Sequence, residues 1–333
     1  MFAKKIGIDL GTASTRVYVR GEGIAIDEPS LAAVQSDGDR VLAVGRQAAE
    51  AAERSAGVRL IRPIRDGVIA GGAPVEQVLR LLVNRAQGRQ RLFRPEVMIC
   101  VPAAATGEHR RTMAEAAIAA GARQAWLIEA PLAAAMGLGL PVAASGGHAV
   151  CDVGAGVVQA AVISLSGVVA AQSVPAGGDH LDAAIAAWIQ EARGVTIDGR
   201  AAEELKVALG SAVALDRPRS VEVTGRDAGG SASTVTVTSE EVRAAIAEPL
   251  AAIAGAVIDV LDQIPSRLEA DVAERGLFLA GGGALLRGLD VFLARETAIP
   301  VRVAEDPRTC AVRGTRRALG EFELTQRRQL YLR

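Results

Sequence analysis

Two stretches of this sequence decide its fold: IGIDLGTASTRVYV at residues 6–19 and AVCDVGAGVVQAAVI at residues 149–163. In each, an apolar run closes on an aspartate, Asp9 or Asp152, and a glycine-containing turn leads into a second apolar run. Such a pattern predicts a β-hairpin. Because the two aspartates are 143 positions apart, about one domain length, the repeat indicates two related domains with one hairpin each.

The composition limits the classes of protein to which this chain can belong. Hydrophobic residues make up 50% of its 333 residues and aromatic residues only 3%, so the core must consist mainly of alanine, valine, leucine and isoleucine. Such a core is typical of a buried parallel sheet covered by alanine-rich helices. The 37 lysines and arginines are balanced by 38 aspartates and glutamates. This balance gives no support for a nucleic-acid partner, and we expect none.

The N-terminal sequence MFAKKIGIDL leads straight into a strand and lacks the long apolar segment of a signal peptide. No apolar run reaches the roughly 20 residues that a membrane-spanning helix needs. The three cysteines show no paired spacing and are expected to be reduced and buried. We therefore expect a soluble chain with a cytoplasmic location.

Both halves of the chain continue with alternating strands and helices. The second half contains Thr238-x-x-Glu241, a capping box that predicts the start of a long helix ending near Gln263. Periodicity, glycines and capping residues predict the other segments. We expect strands at 97–101, 125–128 and 276–280, helices at 108–120, 179–191 and 284–296, and a hairpin at 219–237.

The domain boundary is expected in the glycine-containing stretch PVAASGG, residues 141–147. We predict that residues 1–143 form the first domain, with a small insertion at about 30–65. Residues 144–316 would form the second domain, with a small insertion at about 183–247. Residues 317–333 would be a C-terminal segment that returns to the first domain.

Three glycine-rich turns follow predicted strands, at residues 11–13, 154–156 and 281–283. Backbone N–H groups in such turns can converge on a phosphate, and glycine leaves no side chain in the way. Any one of these turns could be an ordinary tight turn. The first two are homologous, however, and each is preceded by an aspartate. We therefore predict that they face each other and hold a polyphosphate from two sides.

Asp9 and Asp152 are the candidate metal ligands of this phosphate site. Mg²⁺ prefers oxygen ligands and gives up its water reluctantly, so we expect the two carboxylates to hold Mg²⁺ through water molecules. The Walker sequence GxxxxGK[ST] is absent from the chain, which excludes a P-loop nucleotide site.

The duplicated hairpins resemble those of the actin, sugar-kinase and large heat-shock chaperone superfamily. Within it, the chain resembles the MreB/Mbl family of bacterial actin-like cell-shape proteins over nearly its whole length. The matching stretches are DLGTAST (9–15), VYVRGEGI (17–24), DEPS (27–30), IRPIRDGVIA (61–70), ICVPAAAT (99–106), LIEAPLAAAMGLGLPV (127–142), GGDHLD (177–182), AAEELKVALGSA (201–212), VTVTSEEVR (235–243), AEPLAAI (247–253), LAGGGALLRGLD (279–290) and VAEDPRTC (303–310).

This resemblance implies an actin-like ATPase fold, an α/β architecture in which two duplicated domains of mixed sheet carry helices on both faces and enclose a nucleotide cleft. It implies that ATP and Mg²⁺ bind in the cleft. It also implies that the chain polymerises with itself, head to tail, into filaments that organise cell-wall synthesis and cell shape. Its expected position is peripheral, at the inner face of the cytoplasmic membrane, and its expected partners are cell-wall synthesis proteins or other MreB-type proteins.

The resemblance also assigns nucleotide contacts to positions of this chain. They are Gly11, Thr12 and Ala13 in the first phosphate loop, Asp152, Gly154, Ala155 and Gly156 in the second, Gly281, Gly282 and Gly283 under the adenosine, and Glu203 and Lys206 beside the ribose and base. From spacing alone, Glu203 and Lys206 could instead be a solvated pair one helical turn apart.

The chain departs from the family pattern at two places that concern hydrolysis. Where the family has Ile-Glu-Glu-Pro, this chain has IEAP at 128–131, so Ala130 replaces a carboxylate that helps position the attacking water. Where the second phosphate loop of the family ends in Thr-Thr-Glu, this chain has Val157, Val158 and Gln159. Losing a water-orienting group costs roughly 10²- to 10⁴-fold in rate. We expect slow or impaired hydrolysis, the alternative being that Glu129 rotates in as the catalytic carboxylate.

A candidate membrane contact lies in QGRQRLFRP at residues 87–95, where Leu92 and Phe93 are bracketed by arginines. In the family, an apolar loop at this place can enter the membrane. Burying both side chains would contribute roughly 3–6 kcal/mol before costs, and a polymer would multiply this by avidity. The alternative is that both residues begin the next strand and pack inside.

Three other functions are alternatives to that of a filament-forming protein. A small-molecule kinase of the superfamily needs a catalytic aspartate near the second phosphate loop, but the residues after Gly156 are Val-Val-Gln-Ala-Ala-Val. A chaperone-like module needs a peptide-binding domain, for which we expect no room after the last family match. A non-polymerising or co-assembling regulatory member of the family remains the main alternative.

Overall fold

The structure is a computed structural model that describes residues 3–70, 74–88 and 93–325. Its strands are β1 (Lys5–Leu10), β2 (Ser14–Val19), β3 (Gly23–Pro29), β4 (Ala32–Gln35), β5 (Val41–Val44), β6 (Val58–Ile61), β7 (Ile64–Arg65), β8 (Val68–Ile69), β9 (Glu96–Val101), β10 (Gln124–Glu129), β11 (His148–Val153), β12 (Val158–Ser164), β13 (Gly167–Val174), β14 (Ser220–Arg226), β15 (Ala232–Thr238), β16 (Leu277–Ala280) and β17 (Val301–Val303).

The α-helices are α1 (Arg46–Arg54), α2 (Val75–Gln87), α3 (Gly107–Ala119), α4 (Ala130–Leu138), α5 (Gly178–Arg193), α6 (Gly199–Leu209), α7 (Ser239–Ala245), α8 (Ala247–Gln263), α9 (Ser266–Arg275), α10 (Leu289–Thr297) and α11 (Cys310–Thr325). Two short 3₁₀ turns span Gly282–Leu285 and Pro307–Thr309.

Two five-stranded sheets have the same topology. The first has the order β3-β2-β1-β9-β10 and the second has the order β13-β12-β11-β16-β17. In each sheet the first three strands are antiparallel neighbours, and the last two run parallel to the central strand. This identity of order and direction confirms the predicted duplication and the predicted mixed-sheet α/β fold.

The two predicted hairpins occupy corresponding places in these sheets. In the first hairpin β1 pairs with β2, and Asp9 lies opposite Arg16. In the second, β11 pairs with β12, and Asp152 lies opposite Gln159. Directly opposite residues project to the same face of a hairpin. Each aspartate therefore has one long polar side chain as its cross-strand neighbour.

Each sheet is covered by its own apolar core. On the first, Ile8 and Ile99 from the strands pack with Leu79 of α2 and Met113 of α3. On the second sheet, a larger cluster includes residues of α5 and α8. Alanine-rich helices therefore cover this sheet, as the composition predicted. At roughly 1.5–3 kcal/mol for each fully buried aliphatic side chain, this burial is the main stabilising contribution to both sheets.

Helices α4 and α11 pack against each other through glycines. A Cβ atom at Gly137 would overlap the carbonyl oxygen of Cys310, and one at Gly314 would overlap the carbonyl oxygen of Ala133. Both helices therefore need glycine where their backbones meet. Helix α11 also returns to the first sheet, where the guanidinium of Arg316 lies 5.8 Å from the ring centroid of Tyr18.

Smaller sheets are attached to both halves. Strands β4, β5 and β6 form a three-stranded sheet that carries α1 within the range 30–65. Strands β7 and β8 form a short hairpin, and its two turn residues, Asp66 and Gly67, both have positive φ, as a type I′ turn requires. Strands β14 and β15 form the hairpin predicted at 219–237.

Two predicted helices differ from the structure. The capping box of Thr238 and Glu241 forms as expected, but the helix that it opens stops at Ala245, and α8 follows at an angle of 52°. Pro249 explains the break, because it lacks an N–H group and its ring would clash with the carbonyl of Ala245 in a continuous helix. The helix predicted at 284–296 begins at Leu289, after a 3₁₀ turn and Gly288 at φ +68°.

Within the described ranges, no single helix is long and apolar enough to span a membrane. The bent pair α7 and α8 meets the length and composition criteria only when the two helices are taken together. Most of the apolar residues of α8 are buried in the core of the second sheet.

Candidate functional site

A cavity of about 640 Å³ lies between the two five-stranded sheets and is lined by the turns of both hairpins. The structure thus brings together every residue that the sequence predicted for a phosphate, metal or nucleoside contact. These residues are Asp9, Gly11, Thr12, Ala13, Asp152, Gly154, Ala155, Gly156, Glu203, Lys206, Gly281, Gly282 and Gly283.

The two hairpin turns have the same hydrogen-bond pattern. The N–H of Gly11 donates to the carbonyl of Ser14 at 3.1 Å, and the N–H of Gly154 donates to the carbonyl of Val157 at 3.0 Å. Among the described residues, no acceptor is found for the N–H groups that follow, which belong to Thr12, Ala13, Ala155 and Gly156. Four free donors on the wall of one cavity suit an anionic ligand with several oxygen atoms.

The two turns approach each other closely at Gly156. A Cβ atom at this position would lie 2.6 Å from Oγ1 of Thr12 and 2.8 Å from the backbone nitrogen of Asp66. No side chain fits between these atoms, so glycine is required for steric reasons. The close approach also shows that the two hairpins share one side of the cavity, with the β7–β8 turn beside them.

Asp9 and Asp152 line the same cavity, and the charge of Asp9 acts on Asp152. Burial in the cavity wall raises the pKa of Asp9 to about 6, against the lowering effect of Arg16. Burial and the charge of Asp9 raise the pKa of Asp152 to about 7. Two desolvated carboxylates with raised pKa values are a fitting site for a divalent cation, which would relieve their repulsion. In the described part of the chain, no group of three or more histidine, cysteine, aspartate or glutamate side chains forms a metal cluster.

The second turn is supported by the start of α5. The N–H of Gly178 donates to the carbonyl of Gly154 at 3.0 Å, and the N–H of Asp179 donates to the carbonyl of Ala155 at 2.8 Å. Lys206 of α6 then joins α5 from the other side. Its ammonium donates to the carbonyl of Gly178 at 3.1 Å and to Oδ2 of Asp182 at 2.8 Å. Glu203 also lines the cavity, so it does not form a purely solvated pair with Lys206.

The third glycine turn is packed against the base of the second hairpin. Gly281 has φ +81°, and a Cβ atom there would lie 2.6 Å from the carbonyl carbon of Val153. Its N–H donates to the carbonyl of Pro307 at 2.8 Å. The turn therefore forms one wall of the cavity beside Asp152 and places backbone, without side chains, against the ligand space.

The family model for the MreB/Mbl proteins matches residues 3–327 of the chain. The chain is a member of the MreB/Mbl family. It is 44% identical over 331 residues to the cell shape-determining protein MreB of Escherichia coli strain K12, covering 97% of this chain and 95% of that protein. It is 37% identical over 332 residues to the cell shape-determining protein Mbl of Bacillus subtilis strain 168, covering 99% and 100%.

Solved structures of MreB-type proteins confirm the actin-like fold. MreB5 of Spiroplasma citri bound to AMPPNP superimposes with a TM-score of 0.89, at 28% identity, over 98% of this chain and 99% of that one. The same protein was also solved bound to ADP, with the same TM-score. The MamK double helical filament superimposes with a TM-score of 0.80 at 20% identity, over 96% and 99%, which shows a shared fold.

The structure shows where the first departure from the MreB/Mbl pattern, Ala130, lies relative to the cavity. Ala130 lines the cavity, but Glu129 is not among the lining residues. The carboxylate of Glu129 accepts a 2.8 Å hydrogen bond from Nη2 of Arg110, which also donates to the carbonyl of Ala103. Bringing Glu129 into the cavity would break this ion pair, so its tentative catalytic role stays a prediction that the geometry does not favour.

At the second departure from the family pattern, the adjacent residues Val157 and Val158 lie in different environments. Val157 lines the cavity, whereas Val158 is 0% exposed and packs in the core of the second sheet. Gln159 also lines the cavity, and its Oε1 accepts a 2.9 Å hydrogen bond from the N–H of Ala103 on the opposite side. Of the two lost threonines, only the one at position 157 therefore faces the ligand space.

Two contacts between the halves of the molecule were not predicted from the sequence. Nη1 of Arg62 lies 2.6 Å from Oδ2 of Asp179, and Nε2 of His180 lies 3.9 Å from Oδ1 of Asp66. Both pairs join the β7–β8 region to the start of α5. Their only signal in the sequence is that they lie within the stretches at 61–70 and 177–182, which matched the family without an assigned role.

Of the two candidate membrane residues, the structure describes Phe93, whereas Leu92 lies outside the described residues. Phe93 is 46% exposed and precedes β9, which begins at Glu96, and its carbonyl accepts a hydrogen bond from the side chain of Gln87. Phe93 therefore does not pack inside as part of the next strand.

Proposed function

We propose that this chain binds a magnesium-bound adenine nucleotide in the cavity and assembles with copies of itself into actin-like filaments that serve cell shape. One observation carries the nucleotide part: two homologous hairpin turns meet at one cavity, and each has backbone N–H groups without an acceptor among the described residues. Phosphate oxygens are the ligand that such paired turns suit best. The nucleotide complexes of MreB5 from Spiroplasma citri support the same assignment.

Different groups of cavity residues would contact different parts of the proposed ligand. Gly11, Thr12 and Ala13 would contact the phosphates from one side, and Gly154, Ala155 and Gly156 from the other. Asp9 and Asp152 would hold Mg²⁺, which when bound neutralises phosphate charge. The turn at 281–283, with Glu203 and Lys206, would enclose the nucleoside.

We further propose that residues 1–143 and 144–316 behave as two domains that close on the nucleotide. The separate cores of the two sheets support this division. The segment 317–333 would belong with the first domain. Its support is that the ammonium of Lys5 in β1, a strand of the first sheet, donates a hydrogen bond to the carbonyl of Leu319 at 3.4 Å.

Self-assembly is proposed from the family and from the fold. An actin-like filament needs a head-to-tail contact between different surfaces of neighbouring subunits. The shared fold with the protein of the MamK double helical filament is compatible with such an arrangement. Proteins of cell-wall synthesis and other MreB-type proteins would be the partners of this filament.

Hydrolysis is proposed to be slow. Phosphoryl transfer depends on groups that orient the attacking nucleophile and stabilise charge. At the two cavity positions where the family has a carboxylate and a threonine, this chain has Ala130 and Val157. Glu129, the nearest replacement, is paired with Arg110. The nucleotide would then act mainly as a structural ligand that holds the two halves closed.

A combined binding and sedimentation experiment tests the proposal. We expect the purified chain to bind ATP in the presence of Mg²⁺ by calorimetry, to pellet at high speed with ATP, and to show electron-microscopic filaments. The matched variant is Gly156→Ala, whose added Cβ would meet Thr12 and Asp66. Its control is Gly255→Ala, a helical glycine with open space around it.

The outcomes separate the parts of the proposal. No ATP binding by the wild-type chain would contradict the nucleotide assignment. ATP binding without pelleting would contradict self-assembly and would favour a regulatory member that co-assembles with another filament. If Gly156→Ala bound ATP as well as the control variant did, the two hairpin turns would not enclose the phosphates.

A further inference from the structure

Four cationic side chains line the cavity, and three of them form ion pairs or hydrogen bonds with other residues of the chain. Arg16 is buried, and its Nε lies 3.0 Å from Oδ1 of Asp27. The ammonium of Lys206 is bonded to Asp182. Arg287 donates to the last carbonyls of α6, at 3.0–3.1 Å to Val207, Ala208 and Gly210. These last bonds cap the C-terminal end of the helix.

The fourth cation, Arg308, has no such engagement. Among the residues that the structure describes, no hydrogen-bond acceptor, carboxylate or aromatic ring is paired with its guanidinium. It is an exposed residue that nevertheless lines the cavity. An arginine in this state can contact a ligand without first breaking a contact with the protein.

The backbone around Arg308 is held firmly. It lies in the 3₁₀ turn Pro307–Thr309, which is joined to the third glycine turn by the 2.8 Å bond from the N–H of Gly281 to the carbonyl of Pro307. Oγ1 of Thr309 donates to Oδ2 of Asp306 at 2.6 Å. The side-chain stem passes Gly282, where a Cβ atom would lie 3.9 Å from Cγ of Arg308. A fixed backbone with a free guanidinium is suited to closing over a bound group.

Two apolar side chains of the cavity wall are unusually exposed. Val207 is 66% exposed and Leu285 is 58% exposed, and both line the cavity together with Leu286. The phosphate-binding turns and the two aspartates provide the polar part of the site. A flat apolar group with a cation above it is therefore the ligand feature that fits these two side chains.

We infer that Arg308 is a base-contacting residue that lays its planar guanidinium over the purine of the bound nucleotide, with Val207 and Leu285 on the other side. This inference rests on the proposed nucleotide binding. A guanidinium attracts the face of an aromatic ring and stacks on it, whereas a lysine ammonium provides only a point charge. Arg308 contributes to affinity for the nucleoside and not to the phosphate or metal contacts.

Calorimetric titrations with ATP, ADP and adenosine, each in the presence of Mg²⁺, test this inference. We expect Arg308→Ala to weaken the binding of all three ligands by the same factor, about 3- to 10-fold. Arg308→Lys should recover less than half of that loss on a logarithmic scale. The control is Arg295→Ala, which removes an exposed arginine of α10 that does not line the cavity. Melting curves without ligand should be equal for all variants.

Two results would overturn the inference. Unchanged affinity of Arg308→Ala for adenosine, while the wild-type chain binds all three ligands, would exclude a base contact. A loss that grows from adenosine to ADP to ATP and is restored by lysine would place Arg308 on the phosphates. Failure of the wild-type chain to bind any of the three is a different outcome, because it contradicts the proposed nucleotide binding itself.

Discussion

Arg62 donates a hydrogen bond of 2.6 Å from Nη1 to Oδ2 of Asp179, although 117 positions separate them in the sequence. The two residues belong to opposite halves of the molecule. Asp179 also lies in the first turn of α5, whose first N–H groups support the second hairpin turn. The ion pair therefore links closure of the cavity to the turn that is proposed to hold the phosphates.

Breaking this ion pair should speed nucleotide release. Both side chains are partly exposed, so the pair contributes at most about 1 kcal/mol. We expect Arg62→Ala and Asp179→Asn each to raise the release rate of ADP by up to about 5-fold, measured by stopped-flow displacement. The double variant should be no faster than either single one, because both remove the same contact.

The control for this measurement is Glu50→Gln, which removes an exposed ion pair with Arg54 inside α1, away from the cavity. It should leave the release rate unchanged. Additive effects of Arg62→Ala and Asp179→Asn would show that the two side chains act separately and would contradict the linkage.

The two aspartates predict a pH-dependent stability of the ligand-free protein. Their folded-state pKa values, about 6 and about 7, lie above the usual value of 3.8. The unfolded chain therefore releases these protons at lower pH, and stability falls as pH rises from about 4 to about 7. Asp152→Asn removes the buried charge and should raise the melting temperature, more at pH 8 than at pH 5.

The same substitution should weaken binding of ATP in the presence of Mg²⁺, so stability and function change in opposite directions. The comparison variant is Asp271→Asn, whose carboxylate lies outside the cavity near Gly147 and Arg275. An Asp152→Asn protein that is less stable than the wild type at pH 8 without ligand would contradict a destabilising charge at this position.

Restoring two polar groups should restore hydrolysis. Ala130→Glu combined with Val157→Thr places a carboxylate and a hydroxyl on the cavity wall. We expect phosphate release at least about 10²-fold faster than from the wild-type chain. Ala130→Gln with Val157→Thr keeps the size but not the charge and should remain slow. Rapid turnover by the wild-type chain that is lost in Glu129→Gln would reverse this account, because it would make Glu129 the catalytic carboxylate.

Helices α4 and α11 are too close for any side chain at Gly137 or Gly314. Gly137→Val would force its side chain into the backbone of Cys310, and we expect the unfolding free energy to fall by about 3 kcal/mol or more. Gly255→Ala in α8 meets open space and should be neutral or stabilising by up to about 1 kcal/mol. Equal thermal midpoints for the two variants would contradict this prediction, because they would mean that α4 and α11 can move apart without a loss of stability.

Membrane contact is predicted to depend on the segment at 87–95. We expect Leu92→Ser with Phe93→Ser to reduce co-sedimentation of the polymer with anionic liposomes, because both replacements remove apolar area that the bilayer would bury. The control is Leu165→Ser, which changes another exposed leucine, 57% exposed, in the turn between β12 and β13. Unchanged liposome binding by the double variant would exclude this segment as the anchor.

Much of the fold was determined by local sequence alone. The two hairpins follow from an apolar run, an aspartate and a glycine turn, and all of these signals lie within about fifteen residues. The capping box at Thr238 formed as predicted because capping involves only neighbouring backbone groups. The break at Pro249 could also have been predicted from the sequence, because proline acts on the residue four positions before it.

Part of the candidate site was also determined by sequence. The glycines at 11, 154 and 156 and the two aspartates line one cavity, as the repeat predicted. The sequence could not show which of Val157 and Val158 faces the cavity. They are adjacent and chemically identical, and only the strand register places Val157 on the cavity wall and Val158 in the core. Nor could it show that Arg110 holds Glu129, which is a contact between β10 and α3.

Tertiary structure alone decided which distant groups meet. The pairs Arg62–Asp179 and Gln159–Ala103, and the free state of Arg308, depend on how the two halves are placed around the cavity. The physical reason is that backbone conformation responds to near neighbours along the chain, whereas a side chain's partner depends on chain segments folded from far away. The sequence determined two hairpins with glycine turns, and only their packing placed both turns at one cavity.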